Sequence, residues 1–264
     1  MVTWVIERDV FAESNRQRMV DHFKNNSIPY HIVRIVPFIH EIEGKVPQID
    51  DKVVVYGSIG CRNMAQKQNW LPGVWTDDTI NETALIENLG GMYLNSDAKV
   101  TKMKNVPDLF QGFVFMKPNT DTKEFAGTVF ESAFINTWMQ RQINSGYLEA
   151  NISELEVVAS SVKNIGCEWR VVVVDGKISS YSCYKQHQRV IPEYWMPDAA
   201  KEFAEKVIQK YNPLPVFVVD ICETDDGYKV VEYNTFNVAG LYECDIGKII
   251  DDVNEILNIV LCKH

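Results

Sequence analysis

The chain has 264 residues, 46% of them apolar and 11% aromatic, enough to bury a substantial core in one large or two coupled domains. Its 36 acidic residues outnumber 26 basic ones. The resulting formal charge of −10 argues against non-specific nucleic-acid binding, yet it leaves room for a small anion met by a few converging cations and a divalent metal.

No stretch approaches the roughly 18 apolar residues of a membrane span. Glu7 and Asp9 arrive before any signal-like apolar region develops, so a cytoplasmic protein without a membrane partner is expected. Short apolar runs alternating with amphipathic stretches predict a strand over residues 3–6, a helix over 13–25 and strands over 30–36 and 53–56, together a small α/β unit. A turn-rich stretch and a predicted helix over 79–89 lead to a boundary near 94–99, which divides the chain into residues 1–95 and 96–264. Beyond it the pattern predicts a strand over 113–117, a helix over 131–143, and a β-branched strand over 171–174 that turns at Asp175-Gly176-Lys177 and returns over 178–184. Ala200, Phe203, Ala204, Val207, Ile208 and Tyr211 recur at helical spacing behind Asp198, the candidate N-cap. Strands over 216–221 and 229–233 flank the turn Thr224-Asp225-Asp226-Gly227. The stripe Ile246, Ile249, Ile250, Val253, Ile256, Leu257 and Val260 marks a closing helix.

The six cysteines include no CxxC pair and read as reduced, mostly buried thiols. The five histidines lack HExxH or similar ligand spacing. The chemistry concentrates in the last hairpin. Alternation puts Val218 and Asp220 on one face of its first strand, and Glu232 and Asn234 on one face of the second. Three oxygen donors of this kind suit magnesium, which keeps waters and substrate phosphates in its other positions. A surface hairpin with solvated acids is the alternative. The apolar surroundings of the strands weigh against it, because a buried acid needs a partner.

The pattern Asp220, then Glu232-x-Asn234, then Asn237-Val-Ala-Gly240 resembles the metal-binding end of the ATP-grasp superfamily, which places an acid on one strand and Glu-x-Asn on the next. Phe113-Val-Phe-Met-Lys117-Pro118, followed by Phe125-Ala-Gly127, is similar to that family's strand with the phosphate-binding lysine and the glycine-containing loop after it. Gly166-Cys-Glu168-Trp-Arg170 is similar to its Glu-x-Arg strand. The order Lys, Glu-x-Arg, Asp, Glu-x-Asn is the family's own, and the resemblance covers about residues 97–250.

The resemblance implies an α/β (α+β) ATP-grasp fold, with residues 1–95 as a small α/β domain and 96–264 as a core of two subdomains with nucleotide between them. It implies ATP and Mg2+ as cofactors. Lys117 would meet phosphate oxygens, or else be a strand-end lysine in solvent. Glu168 would accept the ribose hydroxyls, or pair with a neighbouring cation. Arg170 shares a strand face with Glu168 and is suited to bracing a transferring phosphoryl group, or to an ion pair with Asp220 or Glu232. Lys185, chosen over Arg189, is the second catalytic cation. Ser161 and Val162 resemble the hinge whose backbone contacts adenine, although an ordinary buried strand explains Val157-Val-Ala-Ser-Ser-Val162 equally well.

The chain also departs from the family pattern. Many members carry an earlier lysine some way before the phosphate-binding one, whereas Lys99, Lys102 and Lys104 lie close to Lys117; Lys99 is the candidate for that contact. Val218 occupies the usual basic position two before the metal-binding acid. With its short central region the chain is similar to small ATP-grasp proteins of phages and bacterial mobile elements whose substrates are unassigned. Gly57-Ser58-Ile-Gly60 lacks the ending of a Walker loop and reads as a tight turn beside an acceptor cleft. The implied activity is ligation of a small-molecule or peptide carboxylate to an amine through an acyl-phosphate. A kinase without an amine acceptor and a non-catalytic nucleotide-binding module are the alternatives.

Overall fold

A computed structural model describes residues 1–36, 41–77, 79–119, 125–146, 151–187 and 189–259. The fold mixes helices and sheets and divides into two compact units, Met1–Asp78 with Ile165–His264, and Thr79–Asn164. These units do not follow the expected division at residues 95 and 96. The reason is a shared core. The stripe of the closing helix, Ile246, Ile249, Ile250 and Val253, packs in one apolar cluster with Val2, Trp4, Ile6 and Phe23 from the start of the chain. Composition read along the sequence cannot register that return.

In the first segment, β1 (Val2–Glu7), α1 (Glu13–Asn25) and β2 (Tyr30–Val33) follow one another, then the short antiparallel pair β3 (Ile35–Val36) and β4 (Glu41–Ile42). The strand predicted over 30–36 therefore breaks at Arg34: β2 pairs parallel with β1, whereas β3 leaves to pair with β4. Next come β5 (Lys52–Tyr56), α2 (Ile59–Lys67) and β6 (Pro72–Gly73), giving a parallel sheet in the order β2-β1-β5-β6. Helix α2 was not expected. It starts at Ser58, whose hydroxyl accepts the Cys61 N–H and so satisfies an otherwise orphaned donor.

The smaller unit holds α3 (Glu82–Leu89), β7 (Lys99–Lys102), α4 (Val106–Leu109), β8 (Phe113–Pro118), β9 (Thr128–Glu131), α5 (Ile135–Asn144) and β10 (Glu156–Ser161). Its antiparallel sheet runs β7-β10-β8-β9 over a core that includes Met103, Val114, Met116, Ile135, Val157 and Ala159. The helix expected over 131–143 begins later, because Glu131 is used in β9 opposite Phe113 and a 3-10 turn, Ser132–Phe134, precedes α5.

The second segment of the larger unit contains β11 (Ile165–Val174), β12 (Lys177–Gln186), β13 (Arg189–Glu193), α6 (Asp198–Lys210), β14 (Val216–Thr224), β15 (Gly227–Asn234) and α7 (Ile246–Ile259). The five-stranded sheet runs β13-β12-β11-β14-β15. Asp175 and Gly176 take φ of 49° and 69°, the two-residue mirror-type turn suited to the twist of a hairpin. Asp198 is the first helical residue, behind an extended Pro197, and makes no side-chain cap. As an acid in the first turn it still complements the helix dipole. Val260 lies outside the described residues. No helix among the described residues is long and apolar enough to cross a membrane.

Candidate active site

The central strands of the five-stranded sheet line up three of the expected residues. Arg170 on β11 faces Asp220 on β14, which faces Glu232 on β15; in the next row, Val172 faces Val218, which faces Asn234. Val172, Val174, Val216 and Val218 lie on this same face and belong to the main apolar core, so the polar row begins where aliphatic packing ends. Asp220 is fully buried, which rules out the solvated-acid reading.

Its partner is Arg170. The guanidinium donates from Nε to Oδ1 at 3.0 Å and from Nη2 to Oδ2 at 2.7 Å, while Nη1 donates to the Gly240 carbonyl at 2.8 Å. Asn234 Nδ2 donates to Glu232 Oε1 at 2.9 Å and reaches Asp220 Oδ2 at 3.5 Å. Burial pushes the Asp220 carboxyl up to about 7, with Arg170 pulling the other way. Burial likewise opposes the charge on Arg170, but the Asp220 carboxylate overrides it and holds the guanidinium above its usual value.

Among the described residues no group of three or more His, Cys, Asp or Glu side chains gathers as a metal-binding set. The expected set consists of two carboxylates and an amide. Hydrogen bonds link Asp220, Glu232 and Asn234 into one cluster of hard oxygen donors, a chemistry that fits magnesium.

Glu168, also buried, sits beside Cys222 of β14 and Lys185 of β12 in the register. Between Glu168 and Trp169 the pairing shifts: Lys185 faces Glu168, Cys183 faces Trp169, and Tyr184 is the extra residue of a β-bulge. Two consecutive side chains therefore reach one carboxylate. Lys185 Nζ lies 2.6 Å from Oε1 and the Tyr184 hydroxyl donates to Oε2 at 2.8 Å. Burial, with the Asp220 and Glu168 carboxylates nearby, raises the Tyr184 hydroxyl and keeps it a donor. The Tyr184 and Tyr242 rings stack at 4.9 Å, and the Arg170 Cζ lies 5.5 Å and 5.1 Å from their centroids. Tyr242 holds a left-handed φ of 48°, a strained conformation for a bulky residue. Arg189 lies exposed on the edge strand β13.

The smaller unit carries the other expected contacts. Lys117 aligns with Val158 and Val100, whereas Lys99 aligns with Ala159 and Met116, so the two lysines lie on opposite faces of the sheet. Lys99 Nζ sits 5.6 Å from the Phe110 ring centroid. Lys117 Nζ is 2.8 Å from Glu82 Oε2, so it is an ion-paired side chain rather than a solvated strand end. Gly127 packs against this strand: a Cβ there would stand 2.9 Å from the Phe115 ring and 3.5 Å from the Lys117 Cβ. Ser161 spends both donors on Asp97, from N at 3.0 Å and from Oγ at 2.6 Å, and Lys163 pairs with the same carboxylate. Burial raises the Asp97 carboxyl, but Lys163 and Ser161 outweigh it and hold it below the usual range. Val162 is exposed, and residues 157–160 form the buried strand that their composition equally suggested.

A family model for an ATP-grasp domain, the third family of its clade, matches residues 30–253. The chain belongs to that ATP-grasp family. The solved structures it is similar to include a RimK domain protein ATP-grasp from Sphaerobacter thermophilus, at 15% identity over 96% of this chain and 99% of that one, with a TM-score of 0.63. D-cycloserine synthetase DcsG matches at 15% identity over 97% and 100%, TM-score 0.61. The ATP-grasp ligase PsnB, complexed with a phosphomimetic variant of minimal precursor, Mg and ADP, matches at 15% identity over 96% and 97%, TM-score 0.58. These likenesses show the ATP-grasp fold. Comparison with curated proteins gives no match.

Several residues of this ATP-grasp protein escape sequence reasoning. Strict alternation places Tyr184 on the face opposite Lys185, and only the bulge brings both to Glu168. Glu82 and Tyr93 carry no local signal of contact with Lys117. Asn237, nearly fully buried, ties the end of β15 to the parallel sheet: its amide donates to the Val55 and Gly73 carbonyls and accepts the Trp75 N–H at 2.9 Å. Its own carbonyl accepts the Gly57 N–H at 2.9 Å. The Gly57-Ser58 turn opens α2 with the Glu7 carboxylate against it, accepting the Ser58 N–H at 2.7 Å. A Cβ on Gly57 would stand 2.6 Å from that of Glu7, which explains the glycine.

Proposed function

We propose that this ATP-grasp protein ligates a carboxylate to an amine at the expense of ATP. The γ-phosphoryl group passes to a carboxylate oxygen and ADP leaves; the amine nitrogen attacks the acyl carbon, phosphate departs, and the nitrogen gives up a proton. The observation that carries this reading is the buried row Arg170, Asp220 and Glu232 with Asn234 beside it, an arrangement of acids and one cation suited to a metal–nucleotide phosphate. Asp220, Glu232 and Asn234 would hold magnesium, which supplies charge neutralisation for the phosphates.

The chain's own residues divide the remaining work. Lys117 offers its ammonium to phosphate oxygens. Glu168 takes the ribose hydroxyls, its orientation set by Tyr184 and Lys185. Arg170 and Lys185 oppose the charge that develops during transfer. Ser161 and Val162 are the proposed adenine contacts. The Ser161 N–H already donates to Asp97, so the Val162 backbone is the better placed of the two. Among the similar structures, PsnB is an ATP-grasp ligase holding Mg and ADP and DcsG is a synthetase, which supports a ligase over other ATP chemistry.

The test is ADP release from purified protein with Mg·ATP against pooled amino acids, polyamines and peptides. Release that requires both a carboxylate and an amine, and that yields a product of their joined mass, is expected. Release with a carboxylate alone and no amine dependence would make the protein a kinase and overturn the proposal.

A further inference from the structure

We infer that Glu82 is the positioning residue for Lys117, fixing the ammonium where it meets the β- and γ-phosphates. Lysine is a point charge on a flexible four-carbon stem, and holding it in one place has an entropic cost. The smaller unit meets that cost in advance. Glu82 is the first residue of α3, behind Asn81, whose side chain accepts the Ala84 N–H. Its side chain is only 4% exposed, against 29% for Lys117. One oxygen, Oε2, lies 2.8 Å from Lys117 Nζ, and the other, Oε1, accepts the buried Tyr93 hydroxyl at 2.6 Å.

The carboxylate is thus fixed from three directions: the helix N-terminus favours its negative charge, the tyrosine fixes its plane, and the lysine balances it. A buried carboxylate held this way is a rigid anchor, and the partly exposed ammonium is the adjustable partner. An ammonium has three N–H donors, so one directed at Glu82 leaves the group able to donate elsewhere. Gly127 contributes from the far side, since its missing side chain lets the loop lie against the Lys117 stem. Sequence separation hides the arrangement, because β7 and α4 lie between Glu82 and Lys117 along the chain.

The inference rests on Lys117 being a phosphate ligand, and the experiment separates the two. Dissociation constants for ATP, ADP and AMP, each with magnesium, are measured by calorimetry on the full chain, its Lys117→Ala, its Glu82→Gln and the double variant. Glu82→Gln keeps the shape and the acceptor for Tyr93 while removing the charge that holds the ammonium. ATP and ADP affinity should fall about tenfold, the scale of a long side chain's rotamer entropy, with AMP unchanged. Adding Glu82→Gln to Lys117→Ala should cost no further ATP affinity, because the two act as one unit.

Unchanged ATP affinity in Lys117→Ala would overturn the lysine's role and this inference with it. If Lys117→Ala weakens ATP but Glu82→Gln does not, or weakens ATP and AMP alike, only the role of Glu82 fails. Tighter ATP binding in Glu82→Gln would also overturn it, since the carboxylate would then be competing with phosphate for the ammonium. Should Glu82→Gln not fold, Glu82→Asp keeps the charge on a shorter stem and draws the ammonium back. The same ATP-selective loss is expected, and wild-type affinity in that variant refutes the proposal.

Discussion

Arg170 and Asp220 face each other across β11 and β14 and join through two parallel hydrogen bonds, Nε to Oδ1 at 3.0 Å and Nη2 to Oδ2 at 2.7 Å, in a site closed to water. Removing one partner leaves the other charged and unpaired in the interior. Arg170→Ala and Asp220→Leu should each lower stability by about 3 to 5 kcal/mol, read from urea unfolding midpoints. Arg170→Lys keeps the charge but loses the planar fork, so it should recover part of that stability. If Arg170 also acts on the transferring group, turnover in Arg170→Lys will fall much more than ATP affinity. A loss of turnover fully accounted for by unfolding would leave the residue structural.

Glu232→Gln removes one charge from the acid cluster while keeping an oxygen that Asn234 can still reach. Far-UV circular dichroism should match the wild type, and Mg-dependent ADP release should vanish, as it should when divalent cations are chelated. Persistent turnover in chelator would exclude the metal assignment.

Tyr184→Phe deletes one hydrogen bond to the Glu168 carboxylate and leaves Lys185 as its partner. Such a bond to a charged group contributes about 1.5 to 3 kcal/mol when its acceptor stays buried. A urea midpoint shift of that size is expected, and none at all would mean that water replaces the hydroxyl.

Asn237→Ala strands the Val55 and Gly73 carbonyls and the Trp75 N–H at once. A destabilisation of about 3 kcal/mol or more is expected, since each buried group left unpaired costs on the order of 1 to 3 kcal/mol. Asn237→Asp should be at least as damaging, because it sets an acceptor against two carbonyls. Thermal unfolding of both variants checks the order.

Much of the larger unit was legible because its signals are local. Period-2 alternation fixed the faces of Asp220, Glu232 and Asn234, and the register Val218 to Asn234 and Asp220 to Glu232 agrees with it. Helix α1 appeared with its expected bounds, residues 13–25, since its buried positions repeat at helical spacing. What stayed hidden depends on irregularity or distance. The bulge at Tyr184 has no composition of its own, and α2, with few apolar residues in its nine, offered a turn signal at Gly57-Ser58 stronger than its helical one. Lys99 looked suitable from its place before Lys117. Only pairing through β10 puts it on the other face of the sheet.

The shared core of the larger unit also dictates an order of events during synthesis. Residues 1–77 leave the ribosome with the inward side of β1 and the Met19, Phe23 side of α1 lacking the partners that α7 supplies nearly two hundred residues later. The Thr79–Asn164 unit, whose own core includes residues 103 to 159, is complete in sequence before those partners exist. The middle of the chain can therefore finish folding first, and the beginning last, when the closing helix arrives to cover Trp4 and Phe23. Until then the nascent N-terminal segment carries an uncovered aromatic surface, the kind of surface that chaperones protect.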